Sequence, residues 1–366
     1  MTVRLILTGN EPRQRYLFDA LYRATQVNAT VSFEEIDVLS KVVGRALSFS
    51  WPRLEWSENY HMHPVIQRRR RKVLLRNMRE YVEYSDAMLM WGSWFQPFLG
   101  GAVNLPVFHY VDQSHSLSNL PGERRGRFGR RRRAHALQSE CYRAAAGIFC
   151  MSEWARRQTL ESHDVSPDKV ISVGWGPCAI DLSDDLNTTP ATEPIILHVS
   201  NAFHRKGIDY LAQTADRVCA AIPNARFVVV GRDRTGYKVP AGRGIEYLGP
   251  IYDREKLAEL FRSAALFFLP HRFDRSPHVL VEAMSAGLAL VTSAQGGAVE
   301  LIEGRSTGYL CTPGSIREYA DSIIALLRDP ELRRRMGARG RELVRQTYNW
   351  PTIARRLVDL MQARIG

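Results

Sequence analysis

Short apolar runs alternate with helix-like stretches along most of this 366-residue chain, and no other feature limits its possible folds so strongly. In the first half, the apolar runs lie at residues 3–8, 87–91, 107–111 and 147–151. Residues 66–84 carry apolar side chains at the spacing of a helix. Strands that alternate with helices are typical of βαβ units, in which parallel strands form one sheet. The pattern therefore predicts an α/β fold.

The alternation is interrupted once and then begins again. Residues 179–193 are polar and rich in turn-forming residues, as linkers often are. After them, apolar runs recur at residues 195–199, 226–231, 245–249, 265–270 and 288–292. A chain of this length exceeds what one hydrophobic core usually organises. We therefore expect two Rossmann-like domains, at residues 1–178 and 194–348, which the linker joins.

Cysteine usage and hydropathy restrict where the protein works. The five cysteines are scattered, and no pair has the spacing of a metal site or a disulfide framework. No run of 18 apolar residues, the length that spans a bilayer, occurs. The first residues lack the cleavage site of a signal peptide. We therefore expect a cytoplasmic protein without a bound metal.

Positive charge is concentrated in the first half of the chain. The formal net charge is +12, and arginine clusters occupy residues 68–72 and 124–133. Such clusters favour a polyanionic partner, either the anionic face of a membrane or a phosphorylated molecule, although a plain solvated surface would explain them equally well. No aromatic residues alternate with the arginines as stacking platforms for single strands would require, so we expect no nucleic-acid partner.

Residues suited to bind phosphate follow two apolar runs of the second half. Arg205 and Lys206 come after the run at 195–199 and directly before a helical stretch, and cations beside free helix N–H groups suit a diphosphate. Gly296 and Gly297 follow the run at 288–292, where backbone N–H groups can approach an anion. A basic residue near a helix start is also common on ordinary surfaces.

Two carboxylates lie eight residues apart around another predicted helix. Asp274 lies in the loop that precedes Pro277, and Glu282 lies within the helix that follows. A carboxylate on an otherwise apolar helix is costly to bury, which favours a functional role for Glu282. Asp274 has a simpler alternative, because aspartate is also a common helix cap.

These segments, in this order, resemble glycosyltransferase family 4, whose members have the GT-B fold. The Lys206-Gly207 pair, the acidic pair that runs into Glu-Ala-Met-Ser-Ala-Gly, and Gly296-Gly297 before Glu300-Leu301-Ile302 carry the resemblance. It is dense in the second domain and thinner in the first. The resemblance implies an α/β fold with two Rossmann-like domains that face a central cleft. It also implies that a final helix, residues 349–366, returns to the N-terminal domain.

The resemblance also implies roles for individual residues. Lys206 would stabilise charge on the leaving diphosphate, as a preorganised cation can. Glu282 would hold the ribose hydroxyls, Asp274 would contact the donor sugar, and the amides of Gly296 and Gly297 would bind the diphosphate. The family retains the anomeric configuration and needs neither metal nor cofactor.

Some positions depart from the family pattern. Asn201 occupies the place of a usual arginine, and Arg205 is the candidate to replace its charge. Ser276 is a further candidate donor contact, in a loop where the family has glycines. In the first domain, the candidate contacts are Gly9, His109 and Asp112.

The function implied is transfer of a sugar from a nucleotide-sugar donor, with retention, to an unidentified glycan, lipid-linked or small-molecule acceptor. Two alternatives remain open: a catalytically weak or silent GT-B scaffold, and another GT-B enzyme such as a sugar-nucleotide epimerase.

Overall fold

A computed structural model of the protein describes residues 3–9, 11–32, 72, 75–92, 104–112, 128–184, 193–233, 236–302, 304 and 306–365. The chain divides into two compact units. Unit 1 comprises residues Met1–Gly174 and Trp350–Gly366, and unit 2 comprises Trp175–Asn349. Most of the first arginine cluster, at 68–71, part of the second, at 124–127, and most of the expected linker, at 185–192, lie outside the described residues.

Unit 1 contains a parallel six-stranded sheet in the order β2-β1-β3-β4-β5-β6. Its strands are β1 Arg4–Gly9, β2 Gln26–Ser32, β3 Ala87–Trp91, β4 Val107–Val111, β5 Gly147–Cys150 and β6 Val170–Ser172. The inner strands read as continuous apolar runs because helices cover both faces of such a sheet.

The helices of unit 1, numbered in chain order, include its last segment. They are α1 Glu11–Ala24, α2 Phe128–Ala144, α3 Glu153–Ser162 and α10 Trp350–Ile365, and residues 75–82 are also helical. Helix α10 packs against α1 and buries Trp350, Leu357 and Met361. The Trp350 ring lies 6.2 Å from that of Trp91, centroid to centroid. The segment 350–365 is therefore part of the core of unit 1.

Unit 2 contains a second parallel six-stranded sheet, in the order β12-β11-β10-β7-β8-β9. Its strands are β7 Ile195–Ser200, β8 Arg226–Gly231, β9 Ile245–Gly249, β10 Leu266–Leu269, β11 Ala289–Ser293 and β12 Gly308–Cys311. Counted within the unit, this is the strand order of dinucleotide-binding folds. The expected α/β class with two Rossmann-like domains is confirmed.

The helices of unit 2 connect its strands, and some of them begin at a side-chain cap. They are α4 Ile208–Ala221, α5 Arg254–Ser263, α6 His278–Ser285, α7 Ala298–Leu301, α8 Ile316–Arg328 and α9 Pro330–Gln346. Asp253 caps α5 and Asp329 caps α9 through side-chain oxygens that accept backbone N–H groups. Of the helices in the described parts of both units, none is both long and apolar enough to cross a bilayer.

Candidate functional site

The site lies where the strand order of unit 2 reverses. Strands β7 and β10 are neighbours in the sheet, but the chain proceeds from them toward opposite edges. Open α/β sheets bind ligands at such a switch point, beyond the carboxyl ends of the strands. Lys206 lies on the loop after β7, and Asp274 lies on the loop after β10. The topology therefore brings two of the predicted site residues together.

Lys206 and Asp274 form a buried ion pair. The Lys206 Nζ donates to Asp274 Oδ2, and the two residues are 7% and 8% exposed. The Arg205 Nη1 lies 3.4 Å from Asp274 Oδ1 and also donates to the Phe273 carbonyl at 3.1 Å. Burial alone would raise the pKa of Asp274, but the Lys206 and Arg205 charges outweigh burial and hold that pKa well below its usual range. This cluster therefore contains two cationic side chains and one carboxylate.

Gly207 explains why a glycine follows Lys206. Its φ is +74°, and a Cβ atom there would lie 1.9 Å from the Pro270 carbonyl oxygen. A glycine is therefore needed both for the backbone conformation and for the close approach of the two loops. Arg272 connects the same loops, because its Nη1 donates to the His204 carbonyl at 2.8 Å. Its guanidinium also donates to both carboxylate oxygens of Asp209, in the first turn of α4, at 2.7 and 2.5 Å. The Arg272–Asp209 pair was not predicted from the sequence.

Residues 294–297, called the glycine loop below, pack against the backbone that follows β10. Gly296 has a φ of +63°, and a Cβ atom there would lie 1.7 Å from the Asp274 carbonyl oxygen. The Gly297 N–H donates to the Arg275 carbonyl at 2.9 Å. The Gly297 amide, expected to bind an anion, thus already has an acceptor within the protein.

Glu282 lies on α6 and accepts two backbone hydrogen bonds. Its Oε1 accepts the N–H groups of Cys178 and Ala179 at 3.0 and 2.8 Å. Burial raises the pKa of Glu282, and these two bonds oppose the rise. Part of the cost of burying the carboxylate is therefore offset by the segment at the start of unit 2. A contact with ribose hydroxyls stays a prediction.

The remaining donor-binding candidates differ in their surroundings. The Ser276 Oγ is buried and has no hydrogen-bond partner among the described residues. A buried hydroxyl without a partner is unusual, so it marks a place where a ligand atom can bind. Asn201 is exposed at the end of β7. Asp274 does not cap α6, since Pro277 occupies the capping position.

An aromatic cluster includes Phe203 and His204, which directly precede Arg205 on the loop after β7, and it was not predicted from the sequence. Tyr247 packs edge-on against Phe203, with ring centroids 5.9 Å apart, and its hydroxyl donates to the Gly231 carbonyl at 2.8 Å. Tyr237 packs edge-on against His204, with centroids 5.4 Å apart. Tyr247 is 48% exposed, so part of the residue is accessible to a ligand. The available signal was the aromatic residues after β7 and β8 and within β9.

The three candidates of unit 1 are not brought together. Gly9 ends β1, while His109 and Asp112 lie on and after β4, with β3 between the two strands. His109 is fully buried, and its Nδ1 lies 2.7 Å from the Gly92 carbonyl oxygen. Burial lowers the pKa of His109 to about 4, so its imidazole is neutral at physiological pH. His109 is a core residue of the sheet.

Within the part of the chain that the structure describes, no group of three His, Cys, Asp or Glu side chains is placed to hold a metal ion. Metal-independent chemistry stays a prediction.

Comparison with known proteins identifies relatives for most of unit 2. Residues 182–343 match the family described as glycosyl transferases group 1. This match confirms, at the level of the group 1 family, the resemblance that the motifs carry.

Curated relatives cover part of the chain. A GDP-mannose-dependent monoacylated alpha-(1-6)-phosphatidylinositol monomannoside mannosyltransferase of Corynebacterium glutamicum is 27% identical over 47% of this chain and 48% of its own length. A phosphatidyl-myo-inositol mannosyltransferase of Mycobacterium leprae is 33% identical over 59% of each chain. The chain thus spans about half the length of the curated relatives it matches.

A solved structure extends the similarity to both units. Sucrose-phosphate synthase of Thermosynechococcus elongatus superposes with a TM-score of 0.70 and 20% identity, over 99% of this chain and 98% of that one. At this identity the likeness concerns the fold alone, and it confirms the expected GT-B type.

Proposed function

We propose that this chain, whose second unit carries the group 1 glycosyl transferase segment, transfers a sugar from a nucleotide-sugar donor to an acceptor with retention of configuration. The observation that carries the proposal is the buried Lys206–Asp274 pair at the switch point of unit 2, with Arg205 beside it. Catalysis would consist mainly of stabilising the charge that develops on the departing nucleoside diphosphate.

The charges of the site suit a diphosphate. Lys206 and Arg205 exceed the single Asp274 carboxylate by one positive charge. A lysine ammonium has three N–H donors, so Lys206 can bind Asp274 and a phosphate oxygen together. The buried Ser276 hydroxyl supplies a further donor. In this arrangement, Asp274 keeps Lys206 in place and offers its carboxylate to hydroxyls of the donor sugar.

The base of the donor would stack on the neighbouring aromatic cluster. The Tyr247 ring is half-exposed, and its hydroxyl is fixed by the Gly231 carbonyl. Stacking on an aromatic face accepts any base, so this contact supports binding of a nucleotide without selecting uracil, guanine or adenine.

The acceptor we propose is lipid-linked. Both curated relatives described above carry phosphatidylinositol in their names, and a lipid acceptor requires the enzyme to approach a membrane. The arginine clusters at 68–72 and 124–133 would then bind the anionic surface, at about 1 kcal/mol for each basic residue close to it.

Donor hydrolysis without acceptor tests the transferase proposal. The protein is incubated with UDP-, GDP- and ADP-sugars, and the release of free sugar and nucleoside diphosphate is measured. We expect slow release from one donor class, abolished in Lys206→Ala and unchanged in Lys256→Ala, which removes an exposed lysine of α5. No nucleotide binding and no release would indicate a silent scaffold. A changed sugar still attached to its nucleotide would indicate an epimerase.

Vesicle co-sedimentation tests the membrane part separately. We expect binding to anionic but not neutral vesicles, weakened by salt and by Arg→Glu changes at residues 68–71. An absence of binding at low salt would contradict the membrane contact and leave the transferase proposal intact.

A further inference from the structure

His271 lies between the end of β10 and the glycine loop. It is fully buried, and its Nε2 lies 3.1 Å from the carbonyl oxygen of Gln295, which belongs to that loop. Its Nδ1 lies 3.2 Å from both the Thr292 Oγ1 and the Leu269 carbonyl oxygen. Both ring nitrogens are therefore engaged, one with the loop and one with the sheet.

The protonation of His271 follows from its surroundings. Burial lowers the pKa of His271; the Asp274 charge opposes this and the Lys206 charge adds to it. The net shift is downward, so the ring is neutral at physiological pH. A neutral imidazole has one N–H donor and one acceptor. The Gln295 carbonyl can only accept, so the contact at 3.1 Å is a hydrogen bond when the ring proton is on Nε2. The Thr292 hydroxyl donates to the Leu269 carbonyl at 2.8 Å, and Nδ1 lies beside these two oxygens.

The contact with Gln295 also orients the next amide. The Gln295 carbonyl and the Gly296 N–H belong to one peptide group, and in a trans peptide these two bonds point in opposite directions. With the carbonyl directed at His271, the Gly296 N–H points away from it. Gly296 is buried, and among the described residues its N–H has no hydrogen-bond partner. A buried N–H group without an acceptor is costly unless a ligand or a water molecule accepts its hydrogen bond.

The neighbouring amide behaves differently. The Gly297 N–H donates to the Arg275 carbonyl. Of the two glycine amides, only that of Gly296 is left to bind an anion.

We propose that His271 is a positioning residue that directs the Gly296 N–H toward the diphosphate of the donor. This inference rests on the proposed function for the identity of the ligand. The imidazole holds the glycine loop in one orientation before the ligand arrives, which removes the cost of ordering the loop on binding.

Pyrophosphate and nucleotide titrations of the native protein provide the first test. With glycine labelled by ¹⁵N, we expect inorganic pyrophosphate, UDP and GDP to shift the Gly296 amide resonance strongly and the Gly297 resonance much less. A shift of Gly297 with no shift of Gly296 would overturn the proposal. This readout needs no turnover, so a protein that binds diphosphate at Gly296 and transfers no sugar would refute the proposed function alone.

Two variants of His271 provide the second test. His271→Gln keeps an N–H donor near the position of Nε2, whereas the shorter His271→Asn does not reach the Gln295 carbonyl. We expect His271→Asn to weaken binding of UDP or GDP about tenfold or more, the effect of losing one hydrogen bond to a charged group, and to leave binding of the free nucleosides unchanged. His271→Gln should restore most of the affinity. Equal affinities in wild type and His271→Asn, or an equal loss for diphosphates and nucleosides, would contradict the proposal.

Discussion

Lys206 and Asp274 lie 68 positions apart in the chain, and their side chains meet in a buried ion pair at the point where the sheet of unit 2 reverses its strand order. Each side chain depends on the other. A buried charge that loses its partner costs far more than an exposed one, whereas a buried pair replaced as a whole by apolar residues often costs little.

The first prediction separates structure from function in this pair. Lys206→Met should destabilise the protein by about 3 kcal/mol, because the Asp274 carboxylate then loses its buried partner and keeps the partly exposed Arg205. The double variant Lys206→Met with Asp274→Leu should recover most of that stability, and neither variant should bind a nucleoside diphosphate. Urea denaturation and calorimetric titration measure the two effects. Arg226→Met, which breaks two exposed ion pairs, is the control and should cost less than about 1 kcal/mol.

Replacement of Glu282 is expected to stabilise the protein, whereas replacement of Lys206 destabilises it. Its pKa is raised by burial, so the ionised form is disfavoured in the folded protein, and stability falls as pH rises past its usual value of 4.5. Glu282→Gln keeps an oxygen that can accept from Cys178 and Ala179 and removes the buried charge. We expect a higher melting temperature at pH 7 together with weaker nucleotide binding. If binding is unchanged in this variant, Glu282 serves only to hold the segment at 178–179.

Alanine substitutions at two glycines with nearly equal φ distinguish the cost of backbone strain from the cost of a steric clash. Gly207 has a φ of +74° and Gly249 one of +73°, but an added Cβ meets the Pro270 carbonyl at Gly207 and nothing within 4 Å at Gly249. Gly249→Ala should therefore cost about 1–2 kcal/mol, the penalty of the left-handed conformation. Gly207→Ala should cost about 2 kcal/mol more, because the backbone must also move apart. Equal losses of unfolding free energy in the two variants would show that the loops after β7 and β10 can move apart at little cost.

Buried histidines predict a loss of stability in mild acid. Burial lowers the pKa of both His109 and His198 to about 4, from a usual 6.5. Between about pH 6.5 and pH 4, these histidines are protonated in the unfolded chain but not in the folded protein. The free energy of unfolding therefore falls as pH decreases through this range, by about 3 kcal/mol for each histidine. Urea midpoints at several pH values measure the slope. His109→Gln and His198→Gln should each flatten it, and a slope unchanged in both variants would contradict the assignment.

Sequence patterns located the inner strands and missed three at the edges. Residues 87–91, 107–111 and 226–231 were predicted with the bounds that the structure has. The missed strands, β2, β6 and β12, each lie at the edge of a sheet. In β2, polar residues alternate with apolar ones, because an edge strand is not covered as a central strand is. A search for continuous apolar runs therefore passes over it.

The candidate site was predictable as a set of residues but not as a set of contacts. Lys206, Asp274 and Glu282 were recognised from their motifs, since each follows or flanks a predicted strand. That Asp274 meets Lys206 depends on the adjacency of β7 and β10, which only the strand order determines. The bonds from Cys178 and Ala179 to Glu282 join residues more than a hundred positions apart, and no local pattern encodes them.

The last helix of unit 1 has a consequence for the order in which the protein is made. Helix α10 packs against α1, yet all of unit 2 is encoded between them. During translation, unit 2 leaves the ribosome in full while unit 1 still lacks the side chains of Trp350, Leu357 and Met361 that complete its core. The unit that is synthesised first is therefore completed last. Removal of residues 350–366 should destabilise that early unit and spare the later one.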